Sequence, residues 1–265
     1  MPIHDRYCVI GDPVTHSLSP AMQSAAFAAA GLDARYVAMR VPAGGAGDAI
    51  AGLRAQGFVG FNVTTPLKEE VGSHLDALTE TAVAAGAVNT VKRSGGEFTG
   101  HNTDGEGCVL ALHDLWRTEF ARLEVLLLGA GPAARAIAVA LASRGARIAC
   151  WSRRAERASR VGPPPDRRAT LVISALPAGA TVPPSVLAVV DQNADVFDVN
   201  YASNLSPIPA GVGARRSDGI PMLLHQGALA FEWWTGLPAP LGAMRAALDI
   251  AQGRAERSRT ENRPR

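Results

Sequence analysis

The sequence predicts an α/β protein made of two α/β units. Residues 1–90 alternate short apolar runs with helical stretches in the order strand, helix, strand, helix, strand, which is the grammar of a parallel sheet with helices on its faces. A second strand, glycine turn, helix and strand begin near residue 124. A chain of 265 residues, 47% hydrophobic and 19% charged, has the size and composition of one large or two modest globular domains.

Residues 7–11, Tyr-Cys-Val-Ile-Gly, read as a strand ending at Gly11. Ser19-Pro20 reads as an N-cap followed by proline at the first helical position, and Gly31 closes that helix. Residues 34–41 form a second strand, and a small-residue helix runs to about Gln56. Residues 58–64 form a third strand, after which Pro66 opens another helix. Residues 87–104 break the pattern, because two extended runs flank Ser94-Gly95-Gly96 and read as a hairpin. In the second unit, residues 169–174 and 194–200 add strands. From Pro221 to Gly236 apolar residues fill most helical positions, another helix starts near Leu241, and the polar tail 253–265 frays. The last helices are expected to pack back on the first unit.

The formal charge of +2 is too small for a general nucleic-acid binder. Cys8, Cys108 and Cys150 are isolated, which fits a reducing cytoplasm and neither a disulfide framework nor a zinc cluster. The six histidines show no metal-ligand spacing, so no metal is expected. The N-terminus lacks the apolar run of a signal peptide, and no segment has the roughly 20 apolar residues that span a membrane.

Gly129-Ala-Gly-Pro-Ala-Ala134 lies between a strand and a helix, where Gly129 makes the tight turn and Gly131 lets backbone approach a pyrophosphate at the helix N-terminus. An NAD site places an acid about 20 residues on, at the end of the next strand. Here that place carries Arg153, Arg154 and Arg157, whose guanidinium groups suit the extra phosphate of NADP. Arg160, Arg167 and Arg168 read as exposed surface. Ser17 and Ser19, between a strand end and a helix start, either cap the helix or bind a carboxylate. Of 26 basic side chains only Lys68 and Lys92 are lysine. Lys68 is expected in a first helical turn, where the macrodipole disfavours its cation and eases the loss of a proton; taken alone it reads as a surface lysine. Asn89 and Asp104 read singly as a hairpin residue and a helix cap. Together with Asn62 and Thr64 at strand ends, they point to one shared cleft.

In order along the chain, Ile10–Pro20, Gly60–Glu69, Gly86–Thr90, Gly100–Gly107, Gly129–Ala136, Ser152–Arg157, Asp198–Tyr201 and Gly219–Gly236 closely resemble the shikimate dehydrogenase family. The resemblance implies an N-terminal α/β substrate domain, a Rossmann-like NADP domain and a cleft between them, with residues 1–105 and 222–265 forming the substrate and catalytic domain and 106–221 the NADP domain. It implies reversible NADP-dependent reduction of 3-dehydroshikimate to shikimate, in the cytoplasm, by a monomer or homodimer. Lys68 and Asp104 would be the catalytic pair that moves the proton. Ser17 and Ser19, helped by Tyr201, would bind the carboxylate; Thr64, Asn89, Asp104 and Gln226 the ring hydroxyls. Gly129, Ala130, Gly131 and Ala133 would line the pyrophosphate, Ser152, Arg153 and Arg157 the adenosine phosphate, and Gly219 and Met222 the nicotinamide, with Ser174 and Ala175 as further cofactor neighbours. Quinate is the alternative substrate, and a shikimate-binding regulator without catalysis is the alternative of another class.

The chain departs from the family pattern at several places. Gln23-Ser24 replaces His-Asn, with little consequence for the implied roles. Pro132 replaces glycine and removes one pyrophosphate donor. Ser152 replaces asparagine and Arg154 replaces threonine. The segment after Arg157 is too short for a full helix and a further strand.

Overall fold

The computed structural model describes residues 5–201 and 205–261, and of residues 254–261 only the helical backbone. It divides into two compact units: the described residues of Met1–Val83, Ala87–Thr103 and Gln226–Arg265, and those of Ala84–Gly86 and Asp104–His225.

The first unit contains β1 (Asp5–Gly11), α1 (Ser19–Ala29), β2 (Ala34–Arg40), α2 (Ala46–Ala55), β3 (Gly60–Val63), β4 (Ala77–Leu78), most of α3 (Glu80–Ala85), β5 (Thr90–Ser94) and β6 (Glu97–His101). Its six-stranded sheet has the order β2-β1-β3-β5-β6-β4. β1 pairs in parallel with β2 and β3, and the β5–β6 hairpin continues the sheet antiparallel. Gly95 and Gly96 turn that hairpin at φ 58° and 95°, values a side chain disfavours. The period of two along β1 sends Cys8 and Ile10 into a core with Phe61, Val63, Ile50 and Leu53. On the other face, Tyr7 stacks on Phe27 of α1, with ring centroids 4.7 Å apart.

Two expectations about this unit are corrected. No α-helix follows Pro66. Leu67 N and Glu70 N instead close turns on Thr64 O and Leu67 O, both at 3.0 Å, and the helical piece there is a 3-10 turn, Val71–His74. The cause is tertiary: Lys68 O accepts Val88 N at 2.8 Å, and Glu70 accepts Gly44 N and Ala46 N at 2.9 Å each, so the segment's polar groups are committed elsewhere. Lys68 therefore sits in turns and not in the first turn of an α-helix. The N-cap of α1 is Leu18, without a side-chain cap, and Ser19 is the first helical residue; Ser17 Oγ accepts Ser19 N at 3.3 Å.

The second unit contains α4 (Asp104–Trp116), β7 (Glu124–Leu128), α5 (Pro132–Ala142), β8 (Arg147–Trp151), α6 (Ala155–Ser159), β9 (Ala169–Ser174), α7 (Pro184–Leu187), β10 (Val190–Asp198) and β11 (Arg215–Ser217). Its sheet is wholly parallel, in the order β11-β10-β9-β7-β8. Leu127, Ile173 and Phe197 from adjacent strands pack with Ile137 and Leu141 of α5 and Leu112 of α4. The short segment after Arg157 forms only α6, of five residues. The prolines that follow run alongside β8, where Pro163 O accepts Cys150 N at 2.9 Å.

Two long helices finish the chain. α8 (Ile220–Thr235) contains the division between the units, at His225–Gln226. α9 (Leu241–Glu261) packs on α1. The tail expected to fray from residue 253 is thus helical to Glu261, and residues 262–265 lie outside the described residues.

Candidate functional site

In the first unit, the candidates gather at the carboxyl ends of β1 and β3. Ser17 and Ser19 follow β1, with Ser19 buried at the start of α1. Thr64 leaves β3 with its N–H on Ile10 O at 2.9 Å. Gly11 at the end of β1 has no room for a Cβ, which would meet Thr65 O at 2.8 Å, so the two strand ends lie in close contact. Lys68 follows, its carbonyl fixed by Val88.

Asn89 enters β5 beside the same strand ends, because Asn62 of β3 faces Thr90 across the ladder. It is the hub of a buried polar network. Asn89 Nδ2 donates to Thr103 Oγ1 at 2.9 Å and to Gln226 Oε1 at 3.3 Å, and Asn89 Oδ1 accepts Thr103 N at 2.9 Å. Asn62 Nδ2 donates to Thr90 Oγ1 at 3.1 Å, and Tyr36 Oη donates to Asn62 Oδ1 at 2.7 Å. A connected buried network of this kind fixes its members' orientations. It draws Gln226 to Asn89, although the two lie 137 positions apart in sequence. His101, at the end of β6, is within hydrogen-bond distance of Thr79 Oγ1 and Thr81 Oγ1, and burial lowers the pKa of its ring. Lys92, the other lysine, donates from Nζ to Trp233 O at 2.7 Å, near the C-terminus of α8 where a cation is favoured.

In the second unit, the candidates lie on successive carboxyl ends of parallel strands, and backbone bonds staple each loop to the next. Gly129 N donates to Trp151 O at 2.8 Å, Ala175 N to Leu128 O at 2.8 Å, Val199 N to Ser174 O at 2.9 Å and Gly219 N to Asn200 O at 3.1 Å. Gly129 has φ 112°, and a Cβ there would meet Ala175 O at 3.0 Å. A methyl on Gly219 would overlap the Val199 carbonyl. Met222 packs beneath, in the cluster of Leu127, Ile173 and Phe197. Asp104 is buried at the start of α4, and the half-buried Tyr201 follows Asn200.

These residues fit a dinucleotide. α5 starts at Pro132 with Gly131 as N-cap and no side-chain cap, and its first bonded N–H is Arg135 on Gly131 O at 3.0 Å. The N–H groups of Ala133 and Ala134, like those of any first helical turn, are available to an anion. A Cβ on Gly131 would meet no atom within 4 Å, so the approach to that helix end is open. Arg153, Arg154 and Arg157 are exposed at the end of β8 and form no ion pair with a described residue, whereas Arg160 is paired with Glu156 at 2.6 Å. Ser152 Oγ accepts Arg154 N at 3.4 Å, which orders the start of that loop. Ser174 Oγ is fully buried without a hydrogen-bond partner, an orphan of the sort that marks polar sites. Among the described residues no group of three His, Cys, Asp or Glu is arranged to hold a metal, and no helix is long and apolar enough to cross a membrane.

Sequence reasoning missed Thr103 and Glu70 as supports of the site. Their partners are Asn89, 14 positions away, and Gly44, 26 positions away, and no local pattern announces such pairs. It also gave no weight to Gln23, which is fully buried although glutamine in an alanine-rich helix reads as surface.

Comparison with known proteins accords with this arrangement. Residues 9–91 match the family model of the shikimate dehydrogenase substrate binding domain, and residues 219–248 that of the shikimate 5'-dehydrogenase C-terminal domain. The shikimate dehydrogenase (NADP(+)) of Methanothrix thermoacetophila is 42% identical over 94% of this chain and 98% of its own length. Among solved structures, shikimate dehydrogenase from Aquifex aeolicus superimposes with a TM-score of 0.84 at 33% identity, over 92% of this chain and 97% of that one. Shikimate 5-dehydrogenase from Thermus thermophilus, solved with NADP(H) and shikimate, gives the same TM-score and identity over 93% of this chain and 99% of that one. With an N-terminal α/β unit whose strand ends carry the buried polar network, a parallel Rossmann-like unit behind its glycine turn, and this likeness along nearly the full length, the chain belongs to the shikimate dehydrogenase family.

Proposed function

We propose that this protein is an NADP-dependent oxidoreductase that reversibly reduces 3-dehydroshikimate to shikimate. The observation that carries the reading is the gathering of Ser17, Ser19, Thr64, Lys68, Asn89 and Gln226 at one end of one sheet, inside or beside the segments that match the substrate-binding and C-terminal family models. The relative from Methanothrix bears the name of this activity, and the Thermus neighbour was solved with both ligands.

In this reading residues 1–105 with 222–265 serve the substrate, and 106–221 serve the cofactor. Ser17, Ser19 and Tyr201 bind the carboxylate, and Thr64, Asn89, Asp104 and Gln226 bind the ring hydroxyls. NADP, when bound, supplies or accepts the hydride. Gly129, Ala130, Gly131 and Ala133 hold its pyrophosphate, Ser152, Arg153 and Arg157 its adenosine phosphate, and Ser174, Gly219 and Met222 lie along the rest. Lys68 moves the proton on or off the reacting oxygen, paired with Asp104. The fixed carbonyl of Lys68 and the tethered Glu70 leave the backbone under that lysine little freedom. The three thiols, all buried and free, suit a cytoplasmic enzyme, acting as a monomer or homodimer.

The test is one assay. Purified protein is given shikimate or quinate, each with NADP⁺ or NAD⁺, and reduced cofactor is followed by absorbance. The expected result is the highest kcat/KM with shikimate and NADP⁺. A preference for quinate, or equal use of NAD⁺, would overturn the corresponding half of the reading.

A further inference from the structure

We propose that Gln23 is a positioning residue for the substrate end of the site, acting through Gln226; this rests on the shikimate reading above. Gln23 lies on α1 four residues after Ser19, on the same helical face, and both are buried. Its Nε2 donates to Gly227 O at 2.8 Å. Gly227 directly follows Gln226, whose Oε1 accepts Asn89 Nδ2 at 3.3 Å. A Cβ on Gly227 would meet the tip of the Met22 side chain, so α1 and α8 approach closely at this point. One turn further along both helices the contact is wholly apolar, Phe27 against Phe231 with ring centroids 5.5 Å apart. The polar tie between these helix faces is thus placed beside the residue that meets Asn89.

Two features separate this tie from a purely structural one. Gly227 is inside α8, where its carbonyl serves the N–H four residues on, so Gln23 adds a second hydrogen bond and rescues no unpaired group. Gln23 Oε1, in contrast, is buried with no hydrogen-bond partner, and an unpaired buried acceptor destabilises the fold. An apolar side chain of the same length would pack here without that orphan, as Met22, Ala26 and Phe27 do around it. Gln23 gives up stability and holds α8 at one rotation about its axis, the rotation that directs Gln226 to Asn89.

The test is Gln23→Met, which keeps the volume and removes both polar atoms. KM for shikimate, and Kd for shikimate by calorimetry, should rise about two- to tenfold, the worth of a typical net hydrogen bond. KM for NADP⁺ should stay unchanged, and the melting temperature should stay level or rise. Unchanged shikimate KM and Kd in an otherwise active variant would overturn the inference alone, as would a melting temperature lowered by several degrees with kinetics intact. Wild-type protein that neither binds nor oxidises shikimate would remove the functional reading and this inference together.

Discussion

At the carboxyl end of β3 the chain leaves its sheet through side chains that hold one another: Asn62, Asn89, Thr90, Thr103 and Gln226 form one buried network, and the turn carrying Lys68 is pinned by Val88 and by the carboxylate of Glu70. At the carboxyl end of β7 the chain leaves through Gly129, Ala130 and Gly131, and what holds that loop is backbone: Gly129 N on Trp151 O and Ala175 N on Leu128 O. On the proposed reading, the first region orients particular functional groups toward a small polar molecule. On the same reading, the second presents bare N–H groups and empty space to a phosphate. A change of side chain should therefore act on chemistry in the first region and on access in the second.

The sharpest way to break this contrast is at Lys68. Lys68→Arg keeps the charge but not a proton that can be given up near neutral pH, so it should be nearly as inactive as Lys68→Ala. The loss should be about 10²–10⁴-fold and fall mainly on kcat, with NADP⁺ binding intact by titration. Near wild-type turnover in the arginine variant would return this lysine to the surface.

A smaller effect is expected in the glycine turn. Gly131 has φ −83° and open space at its Cβ position, so Gly131→Ala should fold with an unchanged or slightly raised melting temperature. Its methyl would stand where backbone meets pyrophosphate, and KM for NADP⁺ should rise by about an order of magnitude. Gly129→Ala should differ in kind, losing stability first, because φ 112° strains any side chain. If both alanine variants lower the melting temperature equally, the second site is not made by open space.

The smallest effect concerns acid. N–H groups of Ala46 and Gly44 lower the pKa of Glu70, and Arg54 with Phe98 N lowers that of Asp76. A carboxylate whose folded pKa is depressed stabilises the fold above its unfolded pKa and loses that stabilisation as pH falls through the folded value. The melting temperature should therefore hold steady from pH 7 to about 5 and decline below about pH 4, where free carboxyls titrate. Glu70→Gln should flatten part of that decline; an identical acid limb in the variant would remove Glu70 from it.

Much of the fold was legible from local pattern. The alternation of apolar runs gave β1, β2 and β3, the paired glycines gave the β5–β6 hairpin, and the glycine turn gave β7 and α5. What escaped was set by distant partners. Pro66 promised a helix by its own preference, but Lys68 O is claimed by Val88. The two-residue β4 exists only because β6 offers it a ladder. The same holds at the sites. Ser17, Lys68 and the arginines after β8 stand in recognisable strings, whereas Gln23, a departure of little consequence within its own string, matters through Gly227, 204 positions away.

The prolines beside β8 have a bearing on how copies of the protein meet one another. An outermost strand offers unpaired N–H and C=O groups to any strand that drifts alongside. β8 is outermost in its sheet, but the segment beside it includes Pro163, Pro164 and Pro165, none of which has an N–H to pass a ladder onward. β11, at the opposite margin, is three residues long, and β4, in the other sheet, is two. Of the four margins among the described residues, β2 is the longest, with seven residues, and it carries the exposed Arg35, whose charge resists a second strand of the same sequence. Strand-to-strand polymerisation is thus discouraged at each of these margins.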